Sequence, residues 1–325
     1  MNMKVLSYKG VLILLFLVFV LSCKKDNNTS TSSSASTGNS SGGGISSTSS
    51  VTARYIQNCT LEDYSATWCE WCPGTKVTTE ATVAAYGSRI IPMEFHPDDR
   101  PDDMTFAGTT QLARAFYANG GGYPMQLINR NIPPNPTLGT TGGLGPLNSN
   151  LIMPAQMASL ITTPSTPAIS STVGLAISSS LNSSKTALSI VVKCRSAQAI
   201  SGTKFVVYVL ENGVISPLHI NSFSGDATFG NPSGILYPLF TAPNPILNYV
   251  NNNVVRASVT NLFGDPIPDQ VAAFEYTKTY TVNLTPTWNS NNLSIVFMAV
   301  RFDNSLINAQ AAAVGQLQDF QIIVP

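Results

Sequence analysis

The chain has 325 residues, which is enough for about two domains of ordinary size. Hydrophobic residues make up 43% of the sequence, so the chain can bury a sizeable core and is not a disordered protein. The 17 basic and 17 acidic residues cancel, which argues against a nucleic-acid-binding protein because such proteins need a basic surface. Few charges and many Ser, Thr and Asn residues instead predict an exported, β-rich protein.

The N-terminus has the layout of a secretory signal. Lys4 and Lys9 form a short basic region, and the apolar run at residues 11–21 is about half the ~20 residues that a membrane-spanning helix needs. Residues 20–23, with the sequence VLSC, resemble the bacterial lipobox, in which the signal is cut before a Cys that becomes lipidated. We therefore predict a lipoprotein signal peptide at residues 1–22 and a lipid on Cys23. An ordinary signal with an incidental Cys, or an uncleaved anchor, is the alternative.

Residues 23–50 are predicted to form a lipid-anchored linker. From residue 27 to residue 50 the sequence is almost entirely Ser, Thr, Gly and Asn, so this segment has no apolar surface to bury. Lys24-Lys25-Asp26 resembles the short export signals of surface lipoproteins from Bacteroidota. The predicted location is therefore the outer membrane, on its periplasmic or its cell-surface face.

The cysteines that remain after Cys23 point to redox chemistry. Cys69 and Cys72 form a CxxC pair, and an exported compartment tolerates disulfides. A lone CxxC is ambiguous between a redox pair, a zinc site and chance. Zinc would need a second pair of Cys or His ligands, and His96 and His219 are far apart in the sequence, so we predict no metal and no cofactor.

The order of elements around the pair favours the redox interpretation. Residues 55–64 have the pattern of a buried strand, residues 65–68 of a turn, and residues 75–86 of a helix. This order predicts Cys69 at a helix N-terminus, where the helix dipole and free amides favour a thiolate. The dipole alone can lower the pKa of the Cys69 thiol by about one unit.

The segment at residues 62–73, EDYSATWCEWCP, resembles the active-site segment of the thioredoxin superfamily, and the resemblance implies roles for individual residues. Cys69 would be the exposed nucleophile that attacks a disulfide, Cys72 would resolve the mixed disulfide, and Asp63 would accept a proton from Cys72. Two alternatives remain open: the pair is a fixed disulfide without turnover, and Asp63 is a strand-end carboxylate in solvent.

A second feature of that superfamily appears downstream. Gly122-Tyr123-Pro124, followed by a strand at residues 125–128, resembles the loop whose cis-proline faces the CxxC pair. The resemblance implies that Tyr123 and Pro124, together with Trp68, bind the substrate. Residues 51–130 are accordingly predicted to form an α/β, thioredoxin-like domain.

The segment between these two features supplies further candidates. A strand-like run at residues 90–96 ends in His96, which is a possible modulator of the thiols because parallel sheets place ligands at strand carboxyl ends; a solvated loop is the alternative. The acidic residues around Arg100 are predicted to form an exposed loop without the spacing of a calcium site. Residues 105–119 are predicted to form a helix. The acidic residues are Asp98, Asp99, Asp102 and Asp103.

The second half of the chain changes to a two-residue period. Residues 131–167 are rich in Pro and Gly and are treated as a connector with a short helix at 156–161. Residues 168–325 are predicted to form an all-β, sandwich-like domain. Asn212-Gly213 predicts a hairpin turn, residues 309–316 a short helix, and residues 320–324 a last strand. The other predicted strands lie at residues 185–194, 203–211, 277–284 and 293–302.

Taken together, the two halves resemble the twenty-eight-kilodalton outer membrane protein-related family of Bacteroidota. The resemblance rests on the signal, the CxxC segment and the sequences FVVYVLENG at 205–213, VVR at 254–256, FGD at 263–265 and NA at 308–309. Family members often carry His residues where this chain has Asn at 251–253, so no metal role is transferred to those positions. The resemblance implies placement at the outer membrane or cell surface.

The predicted function is thiol–disulfide exchange on exported proteins by a lipid-anchored protein. The expected partners are the thiols or disulfides of those proteins and, through the lipid alone, the membrane; no nucleic acid is expected. The alternative is a surface-binding or structural lipoprotein whose CxxC is a non-catalytic disulfide. Cys59 and Cys194 lie on strand-like stretches and are expected to be buried thiols, with a bond between them as the alternative.

Overall fold

The computed structural model describes residues 54–116, 122–131 and 170–323. The predicted signal peptide, the linker and the helix at 156–161 lie outside these residues, as does the connector apart from Asn131. The described residues all belong to one compact unit, Val51–Pro325. Along the chain an α/β region comes first and a β-rich region follows.

The α/β region forms around strands that the hydrophobic pattern predicted. All six residues of the strand Cys59–Tyr64 are buried, and it pairs in parallel with Ile90–Phe95 and antiparallel with Met125–Ile128. The helix that follows the CxxC pair begins at Cys72, earlier than predicted, because Pro73 suits a first helical turn. The elements are β1 Arg54–Ile56, β2 Cys59–Tyr64, α1 Cys72–Tyr86, β3 Ile90–Phe95, α2 Thr109–Phe116 and β4 Met125–Ile128.

The β-rich region contains the predicted strands and several that were not predicted. The helix α3, Tyr237–Thr241, is short. The strands are β5 Ser170–Ser171, β6 Val173–Leu181, β7 Ala187–Ser196, β8 Lys204–Glu211, β9 Val214–His219, β10 Ile246–Asn251, β11 Val254–Ser258, β12 Asp265–Pro266, β13 Glu275–Asn283, β14 Leu293–Val300, β15 Leu306–Ala313 and β16 Ile322–Ile323.

One sheet runs through both regions. Its strand order is β15-β14-β8-β11-β3-β2-β4, with β12 paired to β8. The join is the parallel contact of β11 with β3, where the Glu94 amide donates to the Asn253 carbonyl at 2.8 Å. Strands from both sides of the predicted connector therefore share one hydrogen-bonded sheet.

Strand β8 lies between two hydrophobic cores, and this position explains why its sequence is apolar without interruption. Val206, Tyr208 and Leu210 face a first core shared with β2, β3, α2 and β14. The intervening residues Phe205 and Val207 face a second core, against the three-stranded sheet β13-β7-β6. A strand that is buried on both faces needs apolar residues at every position rather than at alternate ones.

Two sequence predictions in this region are wrong. Asn212-Gly213 does not close a hairpin, because both edges of β8 are already occupied: Glu211 pairs with Val254 on one side and with Leu293 on the other. Strand β9 pairs with β10 instead. Residues 309–316 are not helical; most of them belong to β15, whose pairing with β14 overrides the helix propensity of its alanines.

Cys59 and Cys194 are buried thiols outside any disulfide, so the alternative of a bond between them is wrong. They lie in different sheets, in β2 and β7. Burial raises the pKa of each thiol to about 12. Neither thiol is therefore suited to act as a nucleophile at neutral pH.

Candidate functional site

The CxxC pair lies in the turn between β2 and α1 and forms a disulfide, with its Cα atoms 5.4 Å apart. The Cys72 amide donates to the Cys69 carbonyl at 3.1 Å, and the Cys69 amide donates to the Ala66 carbonyl at 3.0 Å. Cys72 is the first helical residue, and Cys69 lies in the turn before it. The prediction of an exposed nucleophile is wrong for this state of the protein: Cys69 is 5% exposed and Cys72 is fully buried.

The side chains that bury the disulfide include those of the predicted substrate-binding residues. Tyr123 and Trp68 both pack against the cluster of Ala66, Cys69 and Cys72. The two aromatic rings meet edge to face, with centroids 5.5 Å apart. The Tyr123–Pro124 peptide bond is cis, as the sequence predicted, and Pro124 is buried just before β4. The structure therefore brings Trp68, Tyr123 and both cysteines together.

Trp68 is held from the far side by the loop that follows β3. Its indole Nε1 donates to the Arg100 carbonyl at 3.0 Å, and the Arg100 guanidinium lies 4.0 Å from the centre of the indole. These contacts fix the ring next to Cys69. Trp68 and Tyr123 therefore cover part of the surface of the CxxC pair.

Asp63 is a buried carboxyl, so the alternative of a solvated strand end is wrong. It lies near the end of β2, is 4% exposed and pairs in register with Glu94 of β3. Burial, followed by the negative charge of Glu94, raises the pKa of Asp63 to about 7, against the opposing effect of Lys76. At neutral pH this carboxyl can therefore both give and take a proton.

A buried charged network lies beside Asp63. Glu94 Oε1 accepts from Lys76 Nζ at 2.6 Å and from His96 Nε2 at 2.8 Å. His96 Nδ1 lies 2.7 Å from Asp102 Oδ2, which also accepts from the Thr67 amide at 2.9 Å. His96 is therefore fully buried rather than solvated, and it connects to the CxxC turn through Asp102. The network therefore holds the turn in place at Thr67, two residues before Cys69.

The same network corrects the prediction for the acidic loop. The Asp102 side chain is only 5% exposed, whereas Asp98, Asp99 and Asp103 are exposed as expected. Sequence reasoning also missed Lys76 and Glu94. A usable signal was present, because Glu94 is a charged residue inside a strand that otherwise reads as buried.

The stability contributions of Glu94 and His96 have opposite pH dependences. Burial opposes ionisation of Glu94, but Lys76 and His96 outweigh it and hold its pKa at about 2, below the ordinary 4.5. Burial lowers the pKa of His96, but Glu94 and Asp102 outweigh it and raise that pKa above 6.5. The Glu94 contribution to stability is thus complete above pH 4.5 and lost as pH falls toward 2. The His96 contribution is complete below pH 6.5 and lost as pH rises through its raised pKa.

Glu94→Gln is expected to lower the free energy of unfolding near pH 6 by about 3–5 kcal/mol, because the buried cations Lys76 and His96 lose the carboxylate that they share. The difference from the wild type should shrink as pH falls toward 2. Urea unfolding between pH 2.5 and 8 measures both effects. Asp103→Asn, on the same loop as Asp102 but exposed, is the control and should leave the curve unchanged. Parallel pH curves for wild type and Glu94→Gln would contradict this account.

A segment after β9 covers the outer side of the CxxC turn, a contact that sequence reasoning did not predict. The Ile220 amide donates to the Thr67 carbonyl at 2.9 Å, and the Ser222 amide donates to the Glu70 carbonyl at 3.0 Å. The Phe223 ring packs so closely on the helix that a Cβ at Gly74 would lie 2.5 Å from its Cζ atom. Only glycine fits this position of α1 without movement of Phe223.

Two further properties concern the described residues alone. Within residues 54–116, 122–131 and 170–323, no group of three His, Cys, Asp or Glu side chains is arranged to hold a metal ion. Over the same ranges, every helix is too short or too polar to cross a bilayer.

The comparisons with known proteins identify the family. The family model described as "Outer membrane protein Omp28" matches residues 110–318, which is more than half of the chain. This match begins after the CxxC turn and includes Tyr123, Pro124 and strands β5 to β15 of the β-rich region. None of the curated proteins matches the sequence.

Three solved structures are similar to this chain. HBP35 of Porphyromonas gingivalis is 14% identical, with a TM-score of 0.55 over 80% of this chain and 76% of that one, which indicates a shared fold. A protein from Agrobacterium tumefaciens is 9% identical, with a TM-score of 0.43 over 80% of this chain and 96% of its own. A domain of the outer membrane lipoprotein Omp28 from Porphyromonas gingivalis is 14% identical, with a TM-score of 0.27 over 45% of this chain and 89% of its own. On the extent of the family match, the chain belongs to the Omp28 family of outer membrane proteins.

Proposed function

We propose that this protein is a lipid-anchored thiol–disulfide exchange protein that acts on exported proteins through Cys69 and Cys72. The observation that carries the proposal is the packing of Tyr123 and Trp68 on a disulfide that immediately precedes a helix. In this proposal the α/β region is a thioredoxin-like unit and the β-rich region a sandwich-like one. The family match supports the outer membrane but not the exchange reaction, since it begins beyond the cysteines.

The exchange reaction runs through a mixed disulfide. A substrate thiolate attacks the Cys69 sulfur, the bond to Cys72 breaks, and Cys72 leaves as a thiolate that takes a proton. A second thiolate of the substrate attacks the substrate sulfur of the mixed disulfide and expels Cys69. Two electrons pass from the substrate dithiol to the cysteine pair, and the reducing direction is the reverse.

Asp63 is the proposed proton partner of Cys72. Its pKa of about 7 leaves both protonation states populated at neutral pH. The protonated carboxyl supplies the proton when Cys72 leaves as a thiolate, and the carboxylate takes it back in the reducing direction. His96 acts only indirectly, since it holds Asp102 and thereby the turn at Thr67.

The proposed location follows from the N-terminal sequence. Acyl chains on Cys23 would anchor the protein, and residues 23–50 would separate the folded part from the outer membrane.

A structural role for the disulfide is the second candidate, and the burial of both cysteines favours it. With Cys69 5% exposed, a reductant has little access to the pair unless Trp68 or Tyr123 moves. In this alternative the protein binds a partner, and the disulfide only stabilises the turn.

The reduction potential of the pair decides between the two candidates. An exchange protein is expected to equilibrate with glutathione or dithiothreitol at a potential between about −270 and −120 mV, whereas a structural disulfide lies below about −300 mV. Alkylation of the thiols followed by peptide mapping counts Cys69 and Cys72 separately from the buried Cys59 and Cys194. A pair that stays oxidised in excess dithiothreitol would rule out the exchange reaction.

A further inference from the structure

A cavity of about 520 Å³ lies between α1, β3 and the end of β10. Its volume falls within the range of about 300–1,000 Å³ that is typical of small-molecule sites. Aliphatic walls come from Val83, Met93 and Val250, and Asp63 lines the cavity together with Lys76. The rim includes Glu80, which is exposed.

Among the charged groups that line the cavity, one hydrogen-bond acceptor has no donor in the described part of the chain. Lys76 Nζ already donates to Glu94 Oε1 and to Asn251 Oδ1, so at most one of its three N–H groups remains for a ligand. Asp63, in contrast, is 4% exposed, and its Oδ1 atom has no hydrogen-bond partner among the described residues. Buried carboxylate oxygens without a partner are uncommon, because leaving them unsatisfied is costly.

The balance of charge around the cavity indicates the kind of donor that fits. Asp63, Glu80 and Glu94 contribute three carboxyl groups, against the ammonium of Lys76 and the imidazole of His96, which is bonded to Glu94. A cation is therefore favoured over an anion, and the aliphatic walls favour a hydrocarbon body attached to it.

We propose that this cavity binds a small organic cation with an aliphatic body, such as a primary alkylammonium, whose charge is balanced by the Asp63 carboxylate. The site shares Asp63 with the proposed exchange reaction but does not depend on it, because it exists with the disulfide closed. A bound cation would hold Asp63 as a carboxylate.

The proposal has a pH dependence with a definite sign. The groups that act on the Asp63 carboxyl are Glu94 on β3, Lys76 and Thr75 on α1, and His96 after β3. Since the pKa of Asp63 is raised to about 7, part of the population is protonated at pH 6 and has to release that proton to bind a cation. Affinity should therefore increase as pH rises from 6 to 8, and binding at pH 6 should release protons.

Calorimetry on the mature protein with its disulfide closed tests the proposal. At pH 8, hexylammonium should bind at least about tenfold more tightly than 1-hexanol, and hexanoate more weakly than either. Asp63→Asn should reduce hexylammonium to the affinity of 1-hexanol and leave 1-hexanol unchanged. Equal affinities of the alcohol and the ammonium, or no binding of any probe, would overturn the proposal.

Two further variants locate the site. Ala84→Trp places bulk at an exposed position that lines the cavity and should weaken all three probes. Asp103→Asn removes a carboxyl outside the cavity and should change nothing. Undiminished binding in Ala84→Trp would place the probes elsewhere and refute the site. Should Asp63→Asn not fold, proton release by the wild type at pH 6, measured in two buffers, decides the matter. Binding without proton release would contradict the role of Asp63.

Discussion

Cys69→Ser is expected to reduce disulfide exchange to the uncatalysed rate, while Cys72→Ser is expected to accumulate mixed disulfides with substrate proteins. The reason is that the two cysteines differ in their position and surroundings. Cys69 precedes the helix and borders Trp68 and Tyr123, whereas Cys72 is the first helical residue and is completely buried. A substrate thiol can therefore form its bond only with Cys69, and without Cys72 no internal thiol resolves that bond.

The measurement is the reduction of insulin or the refolding of a scrambled protein, with mixed disulfides detected by mass spectrometry under non-reducing conditions. Cys194→Ala is the matched control, because Cys194 is also buried but lies in β7, outside the site. It should retain wild-type exchange. Full activity in Cys69→Ser, or mixed disulfides that form through Cys72, would contradict the assigned roles.

Much of the α/β region was predictable, because its signals are local. Strand β2, helix α1 and strand β3 each carry their own hydrophobic pattern, and the CxxC pair marks the boundary between the first two. The proline loop was predictable for a similar reason. A short aromatic-proline sequence before an apolar strand identifies it without reference to the rest of the chain.

The errors in the β-rich region arise where the outcome depends on a distant partner. Asn212-Gly213 has the residues of a hairpin turn, yet the strand before it is filled on both edges by β11 and β14. The alanines of β15 favour a helix locally, but the edge of β14 supplies a continuous partner for the strand. Neither partner is visible in the local sequence.

The burial of Cys69 could not be predicted for the same reason. Tyr123 lies more than fifty residues further along the chain, and Ile220, which donates to the CxxC turn, is further still. The network of Lys76, Glu94, His96 and Asp102 likewise draws on a helix, a strand and a loop. The composition and periodicity of the sequence identify each element. Which charged side chains from separate elements come into contact depends on how those elements pack.

Arg130→Met is expected to destabilise the protein by about 3–5 kcal/mol, because it leaves a buried carboxyl without its cation. Arg130 Nε donates to Glu62 Oε1 at 3.2 Å, and both side chains are completely buried. The guanidinium also donates to the Tyr208 hydroxyl at 3.0 Å. The guanidinium thus joins β2 and the turn after β4 to β8, and its loss weakens the packing between the two regions of the chain. After the substitution, the Tyr64 hydroxyl still donates to Glu62 Oε2, at 3.4 Å.

Urea unfolding of the single and double variants measures this effect. In Glu62→Gln with Arg130→Met the unpaired charge is gone, so most of the lost stability should return. The control is Arg114→Met, whose partner Asp99 lies 3.9 Å away on the surface, and it should cost less than about 1 kcal/mol.

The Arg130→Met variant should also become more stable as pH falls from 7 to 5. Burial without a cation raises the pKa of Glu62 further above its unfolded value, so the folded state binds the extra proton. Equal losses in Arg130→Met and Arg114→Met, with no dependence on pH, would mean that the buried pair does not hold the two regions together.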